Sequence, residues 1–414
     1  MRRILLLLAA IPLLFCSCKQ ESEDITVPSD VERLLACIPT DAVSFIFTTE
    51  AKSGIKAFSK DTTALPSYAR LDLKEYNRSA AVISFHFCGE IEELIALELK
   101  ESDSDSVKAV RNLKDRASDL GYQSRIVNID SLSVPVLLLS QDESLINSSV
   151  RHLATGNSVK DVPGLKDVIK VLERESDFLL IKNSECSRVW SRFGGDFGLC
   201  SNRAATNFLK TYCRWMAFLP SWGNYVVRTF AENDPIYFCN VLEGDKPGES
   251  KLEMILPDSC SNVVSLQFSS IQNYIDRYER YLDAHTQLDR YRMNTKEARE
   301  WAGNEAVKEI AVGKLGDSKV LLIRTDEKKP LKLADKAPEY VSALFGGIFS
   351  LDGMEVKPRP AGEWTIYGDA AAQDSLFRFE QRSSLLNVYK SKAAVWINGK
   401  KFRVVDDNKL KYGK

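Results

Sequence analysis

The sequence predicts an α+β fold with mainly antiparallel sheets, built by duplication of one strand–helix–strand unit. Hydrophobic residues make up 44% and charged residues 27% of the 414 positions, as in a folded globular protein. Apolar stretches typical of strands alternate irregularly with amphipathic helical stretches, without the regular alternation of a parallel sheet. Similar strand and turn sequences also recur in the same order, about 215–230 residues apart.

The N-terminus has the parts of a secretory signal. Arg2 and Arg3 precede an apolar run that ends at Phe15, and a charged segment begins at Lys19. The run is shorter than the roughly 20 residues that a membrane-spanning helix needs. We therefore predict a signal peptide over residues 1–17 and a tether over residues 18–30. An ordinary secretory signal that is cut nearby is the alternative.

The residues around Cys18 resemble the lipobox of bacterial lipoproteins, in which the cysteine becomes the first residue of the mature chain. This resemblance implies lipidation of Cys18 and attachment to a membrane through its acyl chains. Phe15 and Cys16 depart from the usual pattern, and Cys16 is the rival cysteine. The acidic run that follows resembles the export tag of Bacteroidota lipoproteins, although it also suits a solvated tether. We expect an outer-membrane lipoprotein that faces the periplasm or the cell surface.

Residues 31–250 form the first predicted α+β unit. Alternating apolar patterns and turn residues predict its strands at 42–49, 80–88, 91–100, 124–130, 134–139, 177–182, 224–231, 235–242 and 250–256. Helices are predicted at 104–120, 143–154, 163–173 and 208–219. The first of these helices ends before Gly121 and the last before Pro220, both of which are typical stop signals.

Residues 251–414 form the second predicted unit. Its strands are predicted at 264–268, 319–325, 364–367 and 393–398, and its helices at 271–291 and 296–311. Pro257 and the following strand echo Pro39 and the strand at 43–47. The strands at 364–367 and 393–398 similarly echo those at 136–139 and 178–183. Two unrelated halves that share common strand and turn chemistry are the alternative to duplication.

Three short motifs resemble those of uncharacterised Bacteroidota lipoproteins built from repeated α+β units of unknown function. They are Pro39-x-Asp41 before the first strand, the strand–Ser–Gln–Asp–Glu–helix passage at 136–154, and Trp301-x-Gly303-x-Glu305-Ala306. The resemblance covers most of the mature chain. It implies a place in the cell envelope and brings no catalytic residues with it.

Charge and cysteine content exclude several classes of function. The formal net charge is −1, and it becomes −3 once Arg2 and Arg3 leave with the signal, so we expect no nucleic-acid partner. None of the nine cysteines forms a C-x-x-C pair, which argues against a thioredoxin-like or zinc-ribbon protein. Cys88, Cys213 and Cys239 lie in apolar runs and are expected to be buried.

No recognisable catalytic or metal-binding spacing is present, so we predict no catalytic residue, metal ion or cofactor. None of His86, His152 and His285 has a second histidine four residues away, as the zinc-binding helix of a metalloprotease does. No G-x-S-x-G nucleophile elbow occurs either. The alternating acids at 101–106 lack the glycine and closing glutamate of a calcium loop, and they suit a helix N-terminus instead. The glycine pairs at 194–198 and 345–347 lack the lysine of a phosphate loop.

Two aromatic groups suggest binding surfaces, although core packing is the favoured interpretation of both. Trp215, Trp222 and Tyr225 could form a sugar platform, but Trp215 falls on an apolar stripe. Four tyrosines of the long second-unit helix could face a partner: Tyr274, Tyr278, Tyr281 and Tyr291.

The predicted function is a non-enzymatic, membrane-anchored envelope lipoprotein that binds an envelope partner or an extracellular ligand. Its partners would be the membrane, reached through acyl chains on Cys18, and an envelope protein or glycan. A surface glycan-binding lipoprotein is one alternative. An envelope hydrolase that acts on glycan or peptide through two carboxylates is another, because such carboxylates can come from distant segments.

Overall fold

The fold is taken from a computed structural model of the chain. The residues that it describes are 30–59, 67–71, 73, 76, 79–99, 105–129, 135–185, 210–221, 224–242, 251–252, 255–257, 260–325, 331–345, 348–349, 351, 354, 357–378, 393–397 and 400–409. Within these ranges, every helix is too short or too polar to cross a membrane.

The described strands join in one sheet. Those of the first half are β1 (Ser44–Thr48), β2 (Ala81–Cys88), β3 (Glu90–Glu98), β4 (Gln123–Val127), β5 (Val136–Ser140), β6 (Asp177–Lys182), β7 (Trp215–Ser221) and β8 (Asn224–Ala231). Those of the second half are β9 (Cys260–Gln267), β10 (Val307–Leu315), β11 (Ser318–Thr325), β12 (Arg359–Ala361), β13 (Trp364–Tyr367), β14 (Ala393–Ile397) and β15 (Lys400–Lys409). Their order across the sheet is β12-β13-β11-β10-β9-β14-β15-β8-β7-β6-β1-β2-β3-β5-β4.

The helices lie on both faces of this sheet. They are α1 (Asp30–Leu35), α2 (Ala51–Ser59), α3 (Asp105–Asp119), α4 (Glu143–Thr155), α5 (Leu165–Leu172), α6 (Ile271–Ala284), α7 (Leu288–Asn294), α8 (Lys296–Glu305), α9 (Ala337–Phe345) and α10 (Ala370–Arg378). Among the described strand pairs, only β8 with β15 is parallel. The predicted α+β class with mainly antiparallel sheet is therefore confirmed.

Three apolar clusters hold the layers together. The shared core covers one face across both halves and includes Ile46, Phe85, Leu113, Leu137, Phe268, Tyr274, Leu321 and Val341. The first-half core covers the opposite face beneath α1, α4 and α5 and includes Leu34, Phe45, Leu138, Leu145 and Leu165. The second-half core lies beneath α10 and includes Val263, Leu322, Trp364 and Leu376. Because consecutive strand residues point to opposite faces, most strands contribute to two clusters.

The two halves have the same strand order. The first reads β6-β1-β2-β3-β5-β4 and the second reads β14-β9-β10-β11-β13-β12. Because β8 and β15 are parallel and all other pairs are antiparallel, strands in corresponding places run in opposite directions. A two-fold rotation about an axis normal to the sheet relates the strands of the two halves in this way. The helices after β5 and β13 also start alike, since Asp142 accepts from Ser144 N at 2.8 Å and Asp369 accepts from Ala372 N at 2.7 Å.

One predicted helix is correct only in part. The apolar stripe at 208–219 predicted a helix, and residues 210–212 are helical, but Trp215–Ser221 is β7. Trp215 and Ala217 pack in the first-half core, whereas Met216 and Phe218 pack in the shared core. A strand that is buried on both faces has no two-residue alternation, so its apolar run also fits helical spacing.

Other element boundaries differ from the prediction as well. Phe238–Leu242 is a short 3-10 helix instead of a strand, and the described residues of 250–256 contain no strand. The helix predicted over 296–311 ends at Glu305, where Ala306 adopts a left-handed conformation (φ 49°) and β10 follows. The helix predicted over 271–291 likewise ends at Ala284.

A glycine inside α2 permits close approach to β1. A Cβ atom placed on Gly54 would lie 1.9 Å from Thr48 Oγ1, whereas one on Gly303 of α8 would lie 3.9 Å from its nearest neighbour, Gln272 Oε1. We expect Gly54→Ala to lower the free energy of unfolding by about 1–3 kcal/mol through overpacking. Gly303→Ala should instead raise it by about 0.5–1 kcal/mol, because alanine favours a helix. Urea unfolding of both variants measures the difference, and equal effects would contradict the close contact.

Candidate functional site

The described residues bring an acid, an imidazole and a hydroxyl together at the start of β1. Ser84 and His86 lie two positions apart on β2, so both point to the first-half face of the sheet. Asp41 lies in the turn before β1, where Ala42 N donates to Pro39 O at 3.2 Å. This turn places the Asp41 carboxylate beside His86, although 45 positions separate the two residues in the chain.

Hydrogen bonds join the three side chains in series. His86 Nδ1 lies 3.1 Å from Asp41 Oδ1, and His86 Nε2 lies 2.9 Å from Ser84 Oγ. In the neutral tautomer with a proton on Nδ1, the ring donates to Asp41 and accepts from Ser84. The Ser84 hydroxyl also lies 3.3 Å from Leu94 O, which is a second acceptor for its proton.

The three groups differ sharply in exposure. Ser84 and His86 are 0% exposed, whereas the Asp41 side chain is 60% exposed. The hydrogen bond from His86 holds the pKa of Asp41 below its usual range, against the opposing effect of partial burial. The group therefore links a charged surface carboxylate to a hydroxyl inside the core.

This acid–imidazole–hydroxyl order is that of a serine nucleophile triad. Its hydroxyl, however, lies in mid-strand directly across from Phe45 of the first-half core. A substrate would have to displace this packing to reach Ser84 Oγ. As it stands, the arrangement ties the turn at 39–42 to β2, and it supplies partners for polar groups that would otherwise be costly to bury.

The sequence did not predict this group. A serine and a histidine at alternate positions of an otherwise apolar strand were the available signal, but the acid comes from a distant turn. The other two histidines bind the backbone near the C-terminal ends of helices. His152 Nδ1 lies 2.7 Å from Asn157 O, and His285 Nδ1 lies 2.8 Å from Tyr281 O.

The cysteines follow the prediction in part. Cys213 and Cys239 are buried, as expected, but Cys88 is exposed because it ends β2 at the hairpin turn. Partial burial, together with the carboxylates of Asp142, Asp41 and Glu92, raises the pKa of the Cys88 thiol. A raised thiol pKa disfavours the thiolate, so this cysteine is a weak nucleophile.

The described members of the two aromatic groups contribute to the core, as the favoured interpretation predicted. Trp215 is 0% exposed, and Tyr274 and Tyr281 are buried in the shared core. Tyr281 Oη lies 2.8 Å from Thr211 Oγ1, so α6 is joined to the segment before β7. Trp222 and the Tyr225 side chain lie outside the described residues. The favoured interpretation, core packing, is therefore confirmed for Trp215, Tyr274 and Tyr281, and the alternative roles of these three residues in a sugar platform or a partner face are wrong.

A second buried polar group lies between β9, β10 and β11. Glu309 is fully buried, its Oε2 lies 3.1 Å from Arg324 Nε, and its Oε1 accepts from Ser265 Oγ at 3.1 Å. Arg324 also lies 3.9 Å from Glu363 and 5.8 Å from the centre of the Trp364 ring. The network joins β9, β10 and β11 through the Glu309–Arg324 ion pair and the hydrogen bond from Ser265.

Within the described ranges, no group of three or more His, Cys, Asp or Glu side chains is placed to hold a metal ion. Residues 101–104 of the calcium-like segment lie outside those ranges, and so do residues 194–198. The chain matches no protein-family model, no curated protein and no solved structure. Its function is therefore inferred from its own residues.

The Asp41–His86 contact should affect how the free energy of unfolding changes at acidic pH. Because the folded pKa of Asp41 lies below its unfolded value of about 4, the contact stabilises the fold above that pH. The contribution is lost as the pH falls through the folded pKa. We expect Asp41→Asn to be less stable at pH 7 and to lose less stability on acidification. Denaturant titrations from pH 7 to pH 2 test this, and parallel curves for both proteins would count against it.

Proposed function

We propose that the chain is a non-enzymatic lipoprotein of the bacterial outer membrane that binds an envelope partner or an extracellular ligand. The basic, apolar and small residues that precede Cys18 support the anchor. Two or more acyl chains give lasting attachment without a spanning helix. Cys18 precedes Asp30, the first residue of α1, by 12 positions. Even a fully extended chain of that length spans only about 40 Å, which keeps the folded body close to the bilayer.

The anchor is tested with two cysteine variants. Cys18→Ala should abolish incorporation of a labelled fatty acid and release the protein from the membrane fraction. Cys16→Ala is the matched control and should keep both the label and the location, because it lies within the predicted signal peptide. Membrane retention of Cys18→Ala, or loss of label in Cys16→Ala alone, would contradict the proposal that Cys18 is the lipidated residue.

Protease treatment of intact cells determines which side of the outer membrane carries the protein. Cleavage of the wild type on whole cells would identify the acidic run after Cys18 as a surface-export signal. Ligands outside the cell would then be the ones to search for. Protection until the outer membrane is opened would place the body in the periplasm, facing an envelope partner.

Hydrolysis is the second candidate, because Asp41, His86 and Ser84 stand in the order of a nucleophile triad. The burial of Ser84 counts against this candidate, because a substrate could not reach its hydroxyl. A fluorophosphonate probe, which labels activated serines, distinguishes the two functions on the full-length chain. We expect no labelling above that of Ser84→Ala. Labelling that disappears in Ser84→Ala would favour the hydrolase and contradict the non-enzymatic proposal.

We also propose that the two halves arose by duplication of one unit. The repeated strand order, the opposite strand directions and the paired helix caps at Asp142 and Asp369 support this. Sequence profiles of the two halves, built from homologues, should align Pro39 with Pro257 and Asp142 with Asp369. Profiles that align no better than those of unrelated α+β proteins would count against a common origin.

A further inference from the structure

The two ends of the sheet differ in how well they can accept another strand. At one end, β12 is three residues long, and its central residue is Pro360, which has no N–H to donate. At the other end, β4 is five residues long and contains no proline. Of the strands that the structure describes, β4 pairs only with β5. An edge strand presents unused backbone donors and acceptors along its outer side.

The outer edge of β4 lies between two helices. α3 and α4 both contact β4, and they lie on opposite faces because Leu113 packs in the shared core and Leu145 in the first-half core. Four of the five β4 side chains are exposed, although every residue of β5 is buried. The edge is therefore a line of backbone groups flanked by a helix on each face.

The side chains of β4 indicate what could pair with it. Arg125 is opposite Leu138 of the first-half core, so it points to the α4 face. Ile126 is opposite Leu137 of the shared core, so it points to the α3 face and is 43% exposed. An added strand would place one residue beside Arg125 and the next beside Ile126. Opposite charges and apolar pairs favour such cross-strand contacts.

We propose that the outer edge of β4 binds an extended segment of a partner protein in which acidic and apolar residues alternate. Backbone hydrogen bonds to β4 would hold the segment, and the Arg125 guanidinium would select a carboxylate beside it. This inference rests on the binding function proposed above and gives that function a surface. It does not depend on membrane anchorage, so loss of the anchor in the Cys18 experiment and loss of peptide binding to β4 are distinguishable outcomes.

Synthetic peptides test the proposal on the full-length protein in detergent. One fluorescent seven-residue peptide alternates valine with glutamate, and its twin alternates valine with lysine. By fluorescence polarisation, the wild type should bind the acidic peptide at least about fivefold more tightly than the basic one. Arg125→Glu should reverse this preference. Lys108→Glu on the exposed surface of α3 is the matched control and should leave it unchanged.

A third peptide separates strand pairing from charge attraction alone. Methylation of alternate amide nitrogens in the acidic peptide removes backbone donors but keeps its charge, so its binding should be lost. Binding of the methylated peptide, equal binding of the acidic and basic peptides, or an unchanged preference in Arg125→Glu would each overturn the proposal. Thermal melts should first establish that both variants fold, as expected for exposed positions.

Discussion

Replacement of Arg324 by methionine is expected to lower the free energy of unfolding by about 3–5 kcal/mol. Glu309 is fully buried, and the substitution removes the guanidinium that lies 3.1 Å from its carboxylate. A buried charge that loses its counter-charge keeps its desolvation cost without the compensating attraction. Chemical denaturation at pH 7 measures the loss.

Arg359→Met is the matched control for this experiment. Arg359 also forms an ion pair with a carboxylate, at 2.8 Å from Asp374, but the two side chains are 43% and 46% exposed. We expect Arg359→Met to change stability by less than about 1 kcal/mol, as is usual for surface pairs. The double variant Arg324→Met with Glu309→Met should be more stable than Arg324→Met alone. If both arginine variants lost the same stability, burial would not be what makes the Glu309–Arg324 pair important.

Deletion of residues 393–414 should cause a loss of more than about 5 kcal/mol, which is comparable to the whole net stability of many domains. β14 pairs with β9, and β15 pairs with β14 and β8. Without this hairpin, no described strand pair joins the two halves of the sheet, and β8 and β9 each lose a neighbour. Newly exposed strand edges promote association, so we also expect aggregation.

Deletion of residues 410–414 is the control for the larger truncation, because it leaves β14 and β15 in place. Thermal unfolding and gel filtration of both truncated proteins give the comparison. A monomeric, cooperatively folding protein without residues 393–414 would show that the halves are held together by other contacts. The Tyr281–Thr211 hydrogen bond and the packing of α6 on the segment at 238–242 would then be the first to examine.

Sequence patterns predicted the elements that have one periodic face. The helix at 104–120 was recognised because Leu113 and Ala117 recur at helical spacing, and both are buried in α3. β7 was not recognised, because burial on both faces removes the alternation that reveals a strand. The end of α8 was also missed. Ala306 takes the left-handed conformation that glycine usually supplies, so the sequence contains no stop signal there.

Long-range contacts limited the prediction of the candidate site. His86 lies in the strand predicted at 80–88, but nothing near it in the chain indicated Asp41 as its partner. The apolar stripe correctly indicated that Trp215 packs in the core, but the strands and helices that bury it come from distant segments. Local patterns report which residues share a face, whereas the pairing of faces depends on the topology of the whole sheet.

The central position of the β14–β15 hairpin has a consequence for the order of assembly during synthesis. β15 begins about 170 residues after the end of β8, the strand with which it pairs. While the chain grows, the first half must therefore keep one side of β8 uncovered until the second half has been made. At about 5–20 residues per second, that interval lasts roughly ten to thirty seconds. This is long enough for an exposed strand edge to associate with other chains.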